Sequence, residues 1–363
     1  MKGKDRPTIA FFITPHGFGH AARGCAVMAA LRERYATIGF EILSTVPAWF
    51  FENSIGADFT YHCEETDVGL LQTSPFQADL DLTLERLRKF VPFDKKHVQS
   101  LADRVLRAEC RLVVCDIAPL GIAVAHAARV PSLLIENFTW DWIYDGYGDK
   151  LPAMKSYAEI MAEYFQAATY HIQTEPVCEY RPADLLAAPA SRKTRFQKKD
   201  VRAALKIPEN TPVVVLTFGG VRHQGNIVAG LGQRKDIHFI VPADVEEILR
   251  DGNTTLLPQN SSFFHPDLIQ AGNAVVGKAG YSTIAEIYQA GVPFGYVSRS
   301  DFRESPILER YIQTHMQGIC IDEVKLYDGG WQSHLDDLLS MAPAKTGRTN
   351  GADQMADFIL NLS

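Results

Sequence analysis

Two glycine-rich turns hold the side chains best suited to chemistry. The first, "TPHGFGHAARG" (Thr14 to Gly24), leaves the apolar run "IAFFI" and leads into "CAVMAALRERY". A plain strand-to-helix turn needs one glycine at most. This one carries three (Gly17, Gly19 and Gly24) and two histidines, His16 and His20. Without a Cβ, glycine lets a backbone pass close to a ligand. The second turn opens "GKAGYSTIAEIYQAGVP" (Gly277 to Pro293), where Gly277 and Gly280 permit a tight turn and a close approach. Ser282 and Thr283 stand at the start of a helix, where backbone N–H groups and the helix dipole favour a phosphate. Glu286 follows one turn later, at the height where a carboxylate can take both hydroxyls of a ribose. The same residues also describe an N-capped helix with a capping-box-like Glu, and spacing alone does not separate the two.

The elements that must position these turns are those of an α/β protein. "TIAFFIT", "GFEILST", "LVVCDI" and "PSLLIEN" are short buried-type strands, each followed by a turn residue and a helical stretch. "DLTLERLRKFVPFDKKHVQSLADRVLRA" keeps apolar positions three and four apart and predicts one or two long helices. Alternation of strand and helix implies a parallel sheet covered on both faces. The pattern breaks in "EPVCEYRPADLLAAPASRKTRFQKKD", which holds three prolines and six basic residues and is expected to be a solvated connection. It resumes with "PVVVLTFGG", "DIHFIVPA", "NAVVGKAG" and "PFGYVSR". The expected division is 1–175, 196–343 and a terminal segment 344–363 whose helix "ADQMADFILNL" packs back on the first domain. Two such halves are expected to face each other across a cleft at the carboxyl ends of their strands.

With 363 residues, 46% hydrophobic and 22% charged, the chain suits two globular domains rather than one core. A net charge of −7 argues against a nucleic-acid surface. Six scattered cysteines, without a Cys-x-x-Cys pair, imply reduced thiols, no structural zinc and a cytoplasmic protein. No apolar run reaches the ~18 residues of a membrane span. "PAWFF" (Pro47 to Phe51) is a candidate peripheral membrane contact, although a packed helix face explains it more simply.

From His265, "HPDLIQAGNAVVGKAGYSTIAEIYQAGVPFGYV" resembles the donor-nucleotide segment of GT-B fold glycosyltransferases, and within them the family of the bacterial cell-wall N-acetylglucosaminyltransferase. The resemblance implies two Rossmann-like domains. It places Gly280, Ser282 and Thr283 at a nucleotide diphosphate and Glu286 at the ribose, with Phe264 and the backbone of "FFHPD" beside the base. "FGG" matches the glycine turn after the first donor-domain strand, which puts Gly219 and Gly220 there. "DFRES" (Asp301 to Ser305) falls where that family holds the donor sugar. Here Arg303 and Glu304 stand where many members carry an acid–Gln or Gln–Gln pair, so the sugar is left open.

The first turn resembles the acceptor side of the same superfamily, in which a histidine opens the first helix. By that match His20 is the base that deprotonates the acceptor hydroxyl, a task suited to an imidazole. Asp116, at the end of "LVVCD", is the carboxylate that orients it. Cap residues at a helix start and a strand end are the structural alternative. A longer match runs through "TPHGFGHAARG", "NFTWDWIYDGY", "LTFGG" and "SRSDFRESPILE" and resembles the glycosyltransferase-like N-terminal half of L-arabinokinases. It implies that Gly17, Gly19, Asn137 and Trp140 lie on the acceptor side, where a tryptophan can stack on a sugar ring or serve as core. Arg23 can reach an acidic acceptor or a phosphate, and His16 has no assigned counterpart. No P-loop or Gly-Leu-Ser-Ser-Ser motif occurs, so kinase activity is not expected.

The expected function is metal-independent sugar transfer from a nucleotide-diphosphate sugar to a small-molecule, glycan or lipid-linked acceptor. The donor is a substrate, no further cofactor is required, and Lys278 with the helix N-terminus neutralises the leaving diphosphate. Two other classes fit the architecture. One is a nucleotide-sugar epimerase or hydrolase using His223, Asp301 and Glu304; the other is a sensor that binds without turnover.

Overall fold

The computed structural model describes residues 7–74, 77–218, 230–299, 301–344 and 346–362. Among the described residues nine strands lie before residue 190: β1 (Thr8–Ile13), β2 (Gly39–Ser44), β3 (Thr60–Cys63), β4 (Gln72–Ser74), β5 (Gln77–Ala78), β6 (Cys110–Asp116), β7 (Ser132–Glu136), β8 (Tyr170–Thr174) and β9 (Leu185–Ala187). Seven of them form one sheet in the order β3-β2-β1-β6-β7-β8-β9, and β4 pairs with β5. Every pairing in the large sheet is parallel. The composition of the strands explains this. From Ile9 to Ile13 each side chain of β1 is buried, as a strand covered by helices on both faces requires.

Chain order reverses at β1, which has β2 on one side and β6 on the other. In open α/β sheets such a reversal leaves a crevice at the carboxyl ends of the strands, where ligands bind. The turn after β1 and Asp116 at the end of β6 both lie at this point, with Ile13 opposite Asp116 in register. The long amphipathic stretch resolves into two helices, Leu80–Phe90 and Lys95–Arg107. Asp79 and Asp94 cap them by accepting from Leu82 N and His97 N.

The first unit extends past residue 175 to Ala190. Leu185–Ala187 lies in parallel register with Ile172–Thr174, so the proline-rich stretch supplies an edge strand before it becomes a connection. The unit also takes in the chain from Thr349 onward. There the helix Gly351–Leu360 buries Ala352, Met355, Ala356 and Ile359 against the core beneath α1 (Phe18–Arg34). Arg34 of α1 pairs with Asp353 at 2.9 Å and with Asp357. Gly351 sits so close to Ala188 that an added Cβ would lie 1.8 Å from its carbonyl oxygen.

The second unit, built on Ser191–Arg348, has its own sheet. Its strands are β10 (Val213–Thr217), β11 (His238–Ala243), β12 (Leu249–Asp251), β13 (Thr254–Pro258), β14 (Ala274–Lys278), β15 (Phe294–Val297) and β16 (Gly318–Ile321). Their order is β12-β13-β11-β10-β14-β15-β16, parallel except for β12 on β13. Here the reversal falls at β10, between β11 and β14. The carboxyl ends of β10 and β14 are Thr217 and Lys278, beside the second glycine-rich turn. Two clusters, around Val213, Ile284 and Phe294 and around Val214, Phe239 and Trp331, fill the two faces.

Candidate active site

At the first strand-order reversal the chain leaves β1 through Thr14 and turns at Gly17. Gly17 has φ 76° and caps α1, and an added Cβ there would meet nothing within 4 Å. Left-handed backbone is what this position demands of its residue. Gly24 packs closely on β1, since a Cβ on it would lie 2.8 Å from Ile13 Cδ1 and push that side chain aside. Gly19 lies in the first helical turn.

His20 and Asp116, 96 residues apart in the chain, are brought together: His20 Nδ1 lies 2.9 Å from Asp116 Oδ1. Both are buried, His20 at 7% exposure and Asp116 at 1%. Arg23, one turn along α1, grips the same carboxylate, donating from Nε to Oδ2 at 2.7 Å and from Nη2 to Oδ1 at 2.6 Å. Burial alone would raise the Asp116 pKa. The charge of Arg23 and the hydrogen bonds from His20 and Arg23 overcome it and hold the carboxyl below its ordinary value. A carboxylate opposite Nδ1 favours a proton on that nitrogen and places the ring's lone pair on Nε2, the form a general base needs.

Three residues expected on this side are engaged in contacts within the protein. Arg23 does not serve an acceptor, because its guanidinium is buried on Asp116 and also donates from Nη1 to Asn137 Oδ1. Asn137 is consumed in turn: its amide donates to Thr174 O at 2.6 Å and Pro176 O at 3.2 Å, which locks the chain after β8. Trp140 is 1% exposed and cannot offer a ring face to a sugar. It stacks on Tyr144, meets His16 edge-on, and donates from Nε1 to Asp67 Oδ2 at 2.7 Å.

Asp67 escaped the sequence reading, having no motif around it. Its other oxygen accepts from Thr14 Oγ1 at 2.8 Å, so it ties the loop after β3 to the start of the first turn. Burial pushes its carboxyl up to about 7, against both hydrogen bonds, and the charges of Glu65 and Asp116 act with burial. A folded-state pKa above the ordinary 3.8 means that the folded protein binds this proton more tightly than the unfolded chain. Stability is therefore lost as pH rises from about 4 through about 7. Asp67→Asn keeps an acceptor for Trp140 and removes the charge. Its melting temperature should exceed the wild type's at pH 8 by several degrees, at ~2–4 °C per kcal/mol for a unit of this size. At pH 5 the advantage should be much smaller, and parallel melting curves across this range would refute the assignment.

In the second unit Glu286 is buried at 5% exposure on the helix Tyr281–Ala290, and both its oxygens are engaged. Oε1 accepts from Arg192 Nε at 2.9 Å, and Oε2 lies 2.7 Å from His265 Nδ1. His265 Nε2 reaches Thr217 Oγ1 at 3.0 Å. Burial would raise the Glu286 pKa, but the charge of Arg192 and the His265 bond bring it below the usual range. The Glu286 carboxylate is thus already held from two sides within its own unit. Phe264 is engaged too: its ring lies under Arg195 at 3.8 Å and Arg192 at 4.8 Å, and its carbonyl accepts from Asp267 N and Leu268 N. The basic residues of the connection are therefore not simply solvated. Lys198 likewise donates to Gly272 O at 2.9 Å.

Gly280 caps the helix Tyr281–Ala290 with extended backbone at φ −128° and has no side chain of its own to cap it. Ser282 is half-buried and Thr283 buried on that first turn. The need for glycine at Gly277 comes from within the sheet: an added Cβ would lie 1.9 Å from Thr217 O. Lys278 ends β14, and its ammonium is pushed down to about 7 by burial and then by Arg299, with Glu304 opposing. Glu304, buried at 6%, precedes the helix Ser305–His315 and accepts from Arg299 Nη2 at 2.9 Å. Arg303 is half-buried beside it. Gly219 and Gly220, and His223 of the epimerase alternative, lie outside the described residues. Among the described residues no group of three His, Cys, Asp or Glu side chains converges as a metal site, and no helix is long and apolar enough to cross a membrane.

No protein-family model matches the chain. It is 27% identical over 376 residues to L-arabinokinase of Arabidopsis thaliana, a match that covers 96% of this chain and 34% of that one. The chain thus spans about a third of the length of that curated relative. Among solved structures, CalG4, the calicheamicin glycosyltransferase, superposes with a TM-score of 0.66 at 13% identity and 98% coverage of both chains. Medicago truncatula UGT71G1 complexed with UDP-glucose gives 0.60 at 14% identity, covering 98% of this chain and 94% of its own. Two parallel-sheet units, each with its strand order reversing at a glycine-rich turn, and these superpositions give the chain the GT-B glycosyltransferase fold.

Proposed function

We propose that the chain transfers a sugar from a nucleoside-diphosphate sugar to an acceptor hydroxyl by direct displacement, with inversion at the anomeric carbon. His20 takes the proton of the acceptor hydroxyl. The oxygen then attacks the anomeric carbon, and the bond from that carbon to the diphosphate oxygen breaks. Asp116 keeps the imidazole oriented and steadies the imidazolium that forms. The first turn of the helix Tyr281–Ala290, with Ser282, Thr283 and Lys278, receives the developing charge on the leaving diphosphate. A carboxylate oxygen has room for a second hydrogen bond, so Glu286 can accept from a ribose while Arg192 and His265 hold it in place.

The observation that carries this reading is the buried His20–Asp116 pair at 2.9 Å, set at the strand-order reversal on a glycine-opened turn. An oriented base is required to deprotonate a hydroxyl and contributes nothing that a sensor needs. UGT71G1, a structural neighbour, is complexed with UDP-glucose, which makes uridine the first base to try. A thermal-shift panel of nucleoside diphosphates and their sugars tests the reading. A true donor at a hundred times its Kd should stabilise the protein by ~2.7 kcal/mol, and the free sugar should not. A panel in which no diphosphate raises the melting temperature would refute it.

A further inference from the structure

We propose that Arg23 is a positioning residue for the base: it compensates the Asp116 carboxylate so that His20 stays uncharged, with its proton on Nδ1. The proposal deepens the reading of His20 as the base and rests on it. A histidine and an aspartate buried together without further partners have two low-energy states. In one the proton stays on the imidazole Nδ1 beside a carboxylate. In the other a second proton is taken from solvent, giving an imidazolium–carboxylate pair. Burial of a lone carboxylate favours the second state, because a charge out of water demands a partner of opposite sign. An imidazolium cannot act as a base.

Arg23 changes that balance. A guanidinium is a donor only and carries a positive charge, so an arginine supplies the opposite charge that the carboxylate demands. The side-on fork of Nε and Nη2 reaches both oxygens of Asp116, at 2.7 and 2.6 Å. The carboxylate is thereby matched before His20 contributes any charge. Arg23 Nη2 also lies 3.3 Å from His20 Nδ1, where a cation opposes a second positive charge on the ring. Charged groups from two elements face the imidazole, Arg23 from its own helix and Asp116 from the end of β6, and the ring of Phe138, after β7, meets it edge-on at 6.0 Å. Asp67, on the loop after β3, feels the charge of Asp116.

The arrangement is built to hold one geometry. Arg23 follows His20 by three residues, which puts both side chains on one face of α1. Because the guanidinium only donates, Asn137 must present its oxygen to Arg23, and its amide nitrogen then meets the carbonyls of Thr174 and Pro176. The fork is thus fixed by backbone at the end of β8, and the carboxylate by the fork.

The test reads the ring directly and needs no substrate. Protein labelled with 15N at its eleven histidines is compared with a His20→Gln sample, which identifies the His20 signals. At pH 7 the wild-type ring should show one protonated nitrogen, Nδ1. Arg23→Met, of similar reach and no charge, should show both nitrogens protonated at the same pH. Arg23→Lys should return most of the ring to the wild-type state. A wild-type ring that is doubly protonated, or protonated at Nε2 alone, overturns the proposal even if neither variant folds. So does an Arg23→Met ring identical to the wild type's. Failure of the base reading would appear elsewhere, as intact turnover in His20→Ala, so the two can fail separately.

Discussion

His20→Ala is expected to lower sugar transfer by about a hundredfold or more, as the loss of a general base usually does, while donor binding stays unchanged. The imidazole belongs to the first unit and the residues proposed for the donor to the second, so the variant removes a step and not a ligand contact. His20 is also the cleanest member of its network to remove. Asp116→Asn would set an amide against three donors, two from Arg23 and one from His20. Breaking a buried pair of this kind costs ~3–5 kcal/mol. Lost activity in that variant would therefore mix catalysis with folding. His20→Ala leaves the Arg23–Asp116 pair whole. Calorimetry of donor binding on the same sample separates the outcomes. Abolished binding, or turnover equal to the wild type's, would each defeat the catalytic assignment.

Glu286→Ala carries the second large effect. If its carboxylate accepts ribose hydroxyls, nucleoside diphosphate binding should weaken by about tenfold or more, since hydrogen bonds to a charged group contribute ~1.5–3 kcal/mol. The occupied carboxylate makes a control essential, because Arg192 and His265 both lose their acceptor in this variant. Deoxyribose analogues supply it. They should bind less well than the ribose forms to the wild type and equally well to Glu286→Ala. If the analogues lose the same factor on both proteins, the carboxylate is there to hold Arg192 and His265.

The backbone of this account was legible in the sequence because it depends on local pattern. Apolar runs such as "IAFFI" and "LVVCD" announce strands buried on both faces. His20 and Asp116 were picked out by the resemblance to GT-B glycosyltransferases, each at the end of such an element. What escaped depends on meetings between distant side chains. Nothing near Arg23 says that its partner lies 93 residues away, or that Asn137 and Trp140 turn inward. The basic run around Arg192 reads as solvent-facing because its partners, Glu286 and the ring of Phe264, follow much later. Gly277 was legible as a necessity but not for its reason, since the carbonyl of Thr217 that crowds it belongs to another strand. Leu185–Ala187 was hidden by its prolines and its length of three residues.

The central claim is sugar transfer with inversion, and one experiment addresses it most directly. A nucleoside-diphosphate sugar that saturates the wild type is incubated with it and with a set of hydroxyl acceptors. The anomeric proton and the phosphorus signals are followed by nuclear magnetic resonance. The account predicts release of nucleoside diphosphate together with a new anomeric signal of opposite configuration, both largely lost in His20→Ala. A saturated protein that releases nothing, a product of retained configuration, or an epimerised nucleotide sugar still joined to its diphosphate would contradict it.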